Sequence, residues 1–259
     1  MNVNKISRPS RNLIFPIGKF FFKIPTSITA YKENVVEKNK IELIKSDDHF
    51  SKYLPKFNFM GGIIISERLK RIEIGSPLIA NYFKKAFGMR DSWPEKSTAE
   101  FLTIKELKGN YQTKPLFNEL AAKMSKIKIP TSSMHGDFHK GNVLQNESGK
   151  LFFVDWIRYS AQSSRYFDLI DYYIFNSDKS TGSWMNAWKD ICSKDIKELY
   201  GVKIRKEMIF SYGLWKAQEE IKTLFFRKKE MNVYKDKKFT DFFRFMRDRF
   251  DETNFATNQ

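Results

Sequence analysis

Between Leu13 and Ile24 apolar residues run almost unbroken on either side of Ile17-Gly18-Lys19. Two short apolar segments about a glycine-bearing turn predict a β-hairpin. Pro25-Thr26-Ser27 stops the second strand and offers a cap for a helix from about Ser27 to Lys45, in which Glu37, Ile41 and Ile44 share one face at i, i+4 and i+7. Phe57 to Ile65 predicts two more short strands, with Gly61-Gly62 leading into the run Ile63-Ile64-Ile65. Beyond Gly75 the spacing turns helical over Leu78 to Phe87, Ser97 to Leu107 and Pro115 to Met124, with Trp93-Pro94 and Gly109-Asn110 as breaks. Pro130 to Asp155 differs: a loop rich in Gly and His, then Val143-Leu144, a turn at Asn146 to Gly149 and the strand Leu151 to Val154. From about Phe167 the chain reads as helix, and Met208, Tyr212, Trp215 and Phe242, Met246, Phe250 recur at helical spacing. The elements give an α+β chain. A small strand-rich part, residues 1–66, precedes a larger helical part, residues 67–259, that carries one hairpin, with the boundary near Ser66 to Arg68.

Composition narrows the class. A hydrophobic fraction of 41% with 25 Phe argues against disorder. No apolar stretch approaches the length that spans a bilayer. The patch Leu13 to Phe22 is broken by Pro16 and Lys19 and lacks a small-residue cleavage site, so no signal peptide is expected and the compartment is cytoplasmic by default. Cys192 is the single cysteine; with three histidines it excludes an internal disulfide and the usual Cys/His zinc cluster. Lys and Arg number 46 against 30 Asp and Glu, a net charge of +16 that favours anionic partners: nucleotides, phosphorylated or acidic sugars, lipid headgroups. Lysine-rich solvated faces account for the charge equally well, and charge alone does not make a nucleic-acid protein. Phe242 to Met246, interleaved with Arg244 and Arg247, reads as a helix packing its apolar face and hydrating its arginines, with peripheral membrane contact as the alternative.

One stretch carries chemistry: Met134-His135-Gly136-Asp137-Phe138-His139-Lys140-Gly141-Asn142-Val143-Leu144, followed by Phe152-Phe153-Val154-Asp155-Trp156. Phosphoryl transfer from ATP needs a carboxylate to orient and deprotonate the attacking hydroxyl, and oxygen ligands to hold Mg²⁺ against the phosphates. An Asp and an Asn five residues apart on a tight loop, with a second Asp ending the next strand, meet those needs, because Mg²⁺ takes few protein oxygens and keeps its waters. Turns favour Gly, Asp and Asn in any case; the two spacings together with the flanking strand–turn–strand make the pattern specific.

The stretch resembles the aminoglycoside phosphotransferase and choline kinase family, whose loop reads H-G-D-x-x-x-x-N and whose metal-binding Asp follows the Asn at thirteen residues, the step from Asn142 to Asp155. The resemblance implies a protein-kinase-like two-lobed fold with a shortened N-terminal lobe. It also implies Asp137 as catalytic base, Asn142 and Asp155 as magnesium ligands, and His135 as a loop brace. The same fold needs a strand Lys on the nucleotide's phosphates and a Glu on the next helix. Lys23 ends the strand Phe20 to Ile24 and Glu37 follows fourteen residues later, with Glu33 the competing choice. Ile63 to Arg68 resembles the strand and hinge that meet adenine through backbone groups, which assigns Ser66, Glu67 and Arg68 to the nucleotide. Ile6 to Asn12 takes the place of the phosphate-covering loop without a glycine, so Arg8 and Arg11 stand in for it. Arg165 to Leu169 resembles the segment in which an Asp opens a helix, and Asp168 is expected as its cap.

The expectation is an ATP- and Mg²⁺-dependent kinase that phosphorylates a hydroxyl of a small molecule held between the loop and the helical part. Net charge favours an anionic acceptor, a sugar phosphate, acidic glycan or lipid-linked saccharide, over a cationic one, for which only Asp168, Asp171 and Glu219 offer scattered acids. The rival is a kinase-like nucleotide-binding scaffold without turnover.

Overall fold

A computed structural model describes residues 12–73, 76–88, 93–102, 111–176, 183–194, 196–226 and 232–253. Strands β1 (Asn12–Ile17) and β2 (Phe20–Pro25) form the expected hairpin about Gly18, which has a positive φ of 54°. With β3 (Phe57–Met60) and β4 (Ile63–Glu67) they build an antiparallel sheet of order β1-β2-β4-β3. Register places Ile14 beside Lys23 and Lys23 beside Ile64. Arg8 and Arg11 lie outside the described residues.

Helix α1 (Ile28–Ile44) starts where Ser27 Oγ accepts from Ala30 N at 3.2 Å. Its buried side is unusually polar: Glu33, Asn34 and Glu37 are buried with Ala30, Ile41 and Ile44, while Ile28, Tyr31 and Leu43 lie exposed. Burying polar groups costs free energy unless they are bonded. Asn34 meets that condition for its amide nitrogen, donating Nδ2 to Gly62 O at 2.8 Å and Lys23 O at 3.4 Å, which ties the helix to the sheet, while its Oδ1 is buried without a hydrogen-bond partner.

Strand β5 (Lys70–Arg71) precedes helix α2 (Pro77–Ala86). The Ser97–Leu107 helix is not formed as predicted: Glu95–Ser97 is strand β6 and Thr98–Phe101 a single 3-10 turn, while residues 103–110 lie outside the described set. Ser97 and Glu100 do make a capping box. The backbone at Leu102, however, is already extended, so the turn does not propagate. Helix α3 (Thr113–Met124) borrows its cap from another helix, since Asp236 accepts from Gln112 N and Thr113 N. Short strands β7 (Lys128–Pro130) and β8 (Ser132–Met134) lead to the chemical stretch. There β9 (Val143–Gln145) pairs with β10 (Leu151–Phe153) and with β5. Helices α4 (Arg165–Asn176), α5 (Trp184–Ser193), α6 (Lys206–Phe226) and α7 (Val233–Glu252) complete the chain.

Contacts divide the chain into two compact units, and the division does not follow a single cut at residues 66 and 67. One unit comprises the described residues to Tyr82 with Ser133–Ala161; the other comprises Phe83–Ser132 with the described residues from Gln162 on. The first is held by an aromatic core in which Phe153 meets Tyr53 and Phe138, each at 4.8 Å between ring centroids, and Phe50 meets Trp156 at 5.3 Å. In the second, Trp188 packs on Phe242 at 5.0 Å and Phe167 stacks on Trp215 at 5.1 Å. A buried ion pair, Lys216 Nζ to Asp171 Oδ1 at 2.7 Å, joins α6 to α4 and is completed by Tyr212 donating to the same oxygen. Among the described residues no helix is long and apolar enough to cross a membrane.

Candidate active site

All five polar side chains singled out as base, metal ligands and phosphate pair fall in the first unit. Lys23 is carried in by β2, and its Nζ donates to Glu37 Oε2 at 2.6 Å and to Asp155 Oδ1 at 3.1 Å. The second contact closes a sequence gap of 132 residues. Glu33, the competing choice, sits one helical turn before Glu37, and Lys23 pairs with Glu37. Glu37 is buried, and its other oxygen accepts from Trp156 N at 3.3 Å.

The charges tune one another. Burial works against the Lys23 ammonium, but the Asp155 and Glu37 carboxylates outweigh it and hold its pKa above the ordinary lysine value. Lys23 in turn draws Asp155 below the usual carboxylate range, against burial and the nearby Asp137 charge. Burial dominates at Glu37 and pushes its carboxyl upward against the pull of Lys23. Lys23 is therefore a fixed cation between an exposed-side acid and a buried one; the Asp155 side chain keeps 41% of its surface accessible.

Asp155 has φ 65° and ψ 59°, the left-handed region. Asp and Asn visit that region more readily than most residues, and strain of this kind is held in place by surrounding structure. Here the holding groups are visible. Val154 N donates to Asn142 O at 3.0 Å and Val154 O accepts from His135 Nε2 at 2.9 Å, so the residue before Asp155 is pinned to both ends of the loop.

His135 is fully buried against Trp156, 4.4 Å between ring centroids. Nε2 donates to Val154 O, which leaves Nδ1 to accept from Asp137 N at 3.3 Å. Burial pushes its pKa down to about 4, so the ring is neutral at pH 7. Gly136 has φ 83°, and a Cβ there would stand 2.4 Å from Arg158 O. Phe138 is buried and anchors the loop on Phe153. The motif's His, Gly and Phe thus hold Asp137 in place while its own side chain remains partly accessible.

Asn142 is fixed by donating Nδ2 to Asp137 O at 2.9 Å. Nδ2 also lies 3.5 Å from Asp137 Oδ2, so the amide nitrogen is committed to the loop and Oδ1 is the atom of this side chain whose chemistry suits a hard cation. The Val154 N to Asn142 O bond brings the backbones of Asn142 and Asp155 together, and both side chains carry hard oxygen donors; no group of three His, Cys, Asp or Glu gathers among the described residues. Two oxygens suit Mg²⁺, which keeps waters and takes further ligands from phosphate.

Ser66 and Glu67 lie in β4 and Arg68 follows it. Their N–H groups are partly committed within the sheet: Glu67 N donates to Lys56 O at 3.3 Å and Arg68 N to Lys19 O at 2.8 Å. Any backbone contact from Glu67 or Arg68 to a base therefore falls to their carbonyl oxygens.

Two further polar groups brace the first unit: Asp47, which nothing in the sequence singled out, and His139, which its place in the loop suggested as structural. Asp47, just past α1, accepts from Phe50 N, His49 N and Tyr159 OH at 2.7, 2.9 and 2.8 Å. Burial would raise its pKa, yet these hydrogen bonds bring it below the ordinary value. His139 Nδ1 accepts from Gly141 N at 3.0 Å, which turns Nε2 toward Asp137 Oδ2 at 3.8 Å; a Cβ on Gly141 would meet the ring at 2.8 Å. A turn-forming Asp is common enough in sequence that Asp47 announces no partner, whereas the bond from Gly141 N gives His139 a structural place in the loop.

Solved structures share this arrangement of elements. Choline kinase LicA from Streptococcus pneumoniae superposes with a TM-score of 0.55 at 14% identity, covering 92% of this chain and 90% of its own. A thermostable mutant of aminoglycoside phosphotransferase APH(4)-Ia in apo form gives 0.53 at 12% identity, covering 95% and 93%. Macrolide 2'-phosphotransferase type I gives 0.50 at 10% identity, covering 89% of each chain. LicA is also known in complex with AMP, and the APH(4)-Ia mutant in a ternary complex with ADP and hygromycin B. At the level of sequence no family model and no curated protein matches the chain. At these identities the likeness is one of fold, and the chain has the protein-kinase-like fold.

Proposed function

We propose that the protein is an ATP- and Mg²⁺-dependent phosphotransferase that moves the γ-phosphate to a hydroxyl of a small molecule. The observation that carries the reading is Lys23 Nζ bridging Glu37 and Asp155 from opposite ends of the first unit, beside a loop that presents Asp137 and Asn142. Glu37 holds Lys23 extended toward the phosphates. Asn142 Oδ1 and the Asp155 carboxylate are the groups that would hold magnesium, which when bound supplies charge neutralisation at the phosphate oxygens. Asp137 accepts the proton of the attacking hydroxyl and fixes its line of approach. Ile14, on the same side of the sheet as Lys23, offers an apolar cover for the base, and the carbonyls of Ser66 to Arg68 offer acceptors to its amino group.

The acceptor is anionic or neutral rather than cationic, with a sugar phosphate or lipid-linked saccharide fitting the net charge of +16. The three acids that the sequence offered for an ammonium group are engaged or enclosed: Asp171 is paired with Lys216, Glu219 with Lys222 at 3.0 Å, and Asp168 is fully buried.

ADP release from purified protein, measured across a panel of sugars, sugar phosphates and amino alcohols, tests the reading. Magnesium-dependent turnover is expected with an acceptor from the neutral or anionic groups. Nucleotide binding without turnover across the whole panel would favour the scaffold.

A further inference from the structure

We propose that the outer face of the four-stranded sheet is a docking surface for an anionic lipid bilayer. An antiparallel sheet with one wet face ordinarily alternates apolar and polar residues along its strands. β1, β2 and β4 do not alternate. Lys23 points to Glu37 of α1 and to Asp155, so its side of the sheet is the one turned to α1, with Ile14 exposed at its edge. By alternation and register, Leu13, Ile17, Phe20, Phe22, Ile65 and Met60 stand on the other side. Four of these, Leu13, Ile17, Phe20 and Met60, are exposed, from 46% for Phe20 to 63% for Met60. So much contiguous apolar surface marks an interaction site rather than scattered exposure.

Charge selects the occupant. Lys23 is turned to the other side and held by Glu37 and Asp155, so the described cations at the hairpin end of this face are Lys19 and Arg68. Lys19 stands exposed at the hairpin tip, with exposed Arg68 bonded to its carbonyl. Glu67 is the one acidic residue in the four strands, and its carboxylate accepts from Lys56 N. A second copy laid face to face would bring Lys19 and Arg68 onto a surface that carries the same charges. A layer of anionic headgroups neutralises them while the acyl boundary receives Ile17 and Phe20, the combination by which interfacial segments bind membranes.

Co-sedimentation of the full chain with vesicles, without nucleotide, tests the surface independently of phosphoryl transfer. Binding is expected to vesicles of phosphatidylcholine mixed with phosphatidylglycerol and not to phosphatidylcholine alone. Ile17→Ser and Phe20→Ser each lower the partition coefficient about tenfold or more, and Lys19→Glu weakens binding to the mixed vesicles. These positions are half-exposed, so thermal unfolding stays near wild type. As a second readout, Phe20→Trp shifts its emission to the blue on the mixed vesicles and is quenched by brominated acyl chains. The proposal is overturned by absence of binding to the mixed vesicles, by binding indifferent to Ile17→Ser and Phe20→Ser, or by a wild-type dimer in ultracentrifugation that those variants dissociate, which would assign the face to a second copy.

Discussion

His135 offers the sharpest physical test of how the loop is held. The ring is fully buried, donates Nε2–H to Val154 O and accepts the Asp137 N–H at Nδ1. A second proton on Nδ1 would point at that N–H and place a charge in an aromatic pocket, so the fold refuses it and the pKa drops from 6.5 to about 4. The unfolded chain accepts that proton below pH 6.5. As pH falls from 6.5 to 4 the unfolded state alone is stabilised, and the contribution of the neutral ring is lost. Each pH unit is worth about 1.4 kcal/mol, so the whole window is worth about 3 kcal/mol. Below about pH 4 both states are protonated and the loss stops.

His135→Phe removes the titrating group and keeps an aromatic ring against Trp156. At pH 7 it costs about 1–3 kcal/mol, because Val154 O and Asp137 N lose their partner. Urea unfolding of both proteins between pH 7.5 and 4 should show the difference shifting by about 3 kcal/mol in favour of His135→Phe toward the acid end, enough to close or reverse the gap. Groups common to both, such as Asp47 and Glu37, cancel in the difference. With only three histidines, ring ¹⁵N resonances identify the tautomer directly: His135 stays neutral with the proton on Nε2 at pH 5.5. A gap that does not change with pH, or a His135 midpoint near 6.5, would refute the buried neutral brace.

Gly136→Ala forces a Cβ to within 2.4 Å of Arg158 O at a positive φ, and should destabilise the protein by at least about 1–3 kcal/mol, read by urea unfolding. Lys23→Met leaves Glu37 buried with only the Trp156 N–H, costing about 1–3 kcal/mol of stability and removing most of the nucleotide affinity; calorimetric titration and thermal unfolding check the two effects separately. Asp47→Ala should cost most above about pH 4. The Asp47 pKa is lowered in the fold, so its contribution is present above the unfolded pKa and lost as pH falls through the folded one, which acid unfolding of the two proteins would show.

Periodicity was most informative where one residue type settles the backbone. Gly18 and Gly61-Gly62 place the hairpin turns, and Ser27 places the start of α1. The Lys23 and Glu37 pair was legible because strand end and helix face are both sequence properties. What could not be read was supplied by tertiary contact. Asp236 caps α3 from more than a hundred residues away, and Asn34 is buried on a helix that leaves Ile28, Tyr31 and Leu43 exposed. Ser97 and Glu100 carried a genuine capping signal, yet helix continuation depends on the residues that follow, and Leu102 is extended. The hinge shows the same limit. Backbone donors leave no trace in side-chain identity, so the engagement of Glu67 N and Arg68 N inside the sheet appears only in three dimensions.

The central claim is a magnesium–nucleotide centre in which Asp137 serves chemistry and Asp155 serves binding. Calorimetric titration of Mg²⁺·ATP into wild type, Asp137→Ala and Asp155→Asn, with ADP release measured on the same samples, tests it most directly. Asn tolerates the left-handed backbone at residue 155, so Asp155→Asn remains folded. The account predicts that Asp137→Ala binds Mg²⁺·ATP nearly as wild type while losing about 10²–10⁴ in turnover, and that Asp155→Asn loses about 10–100-fold in magnesium-dependent affinity. Wild-type affinity that is the same with and without magnesium, or undiminished turnover in Asp137→Ala, would contradict it.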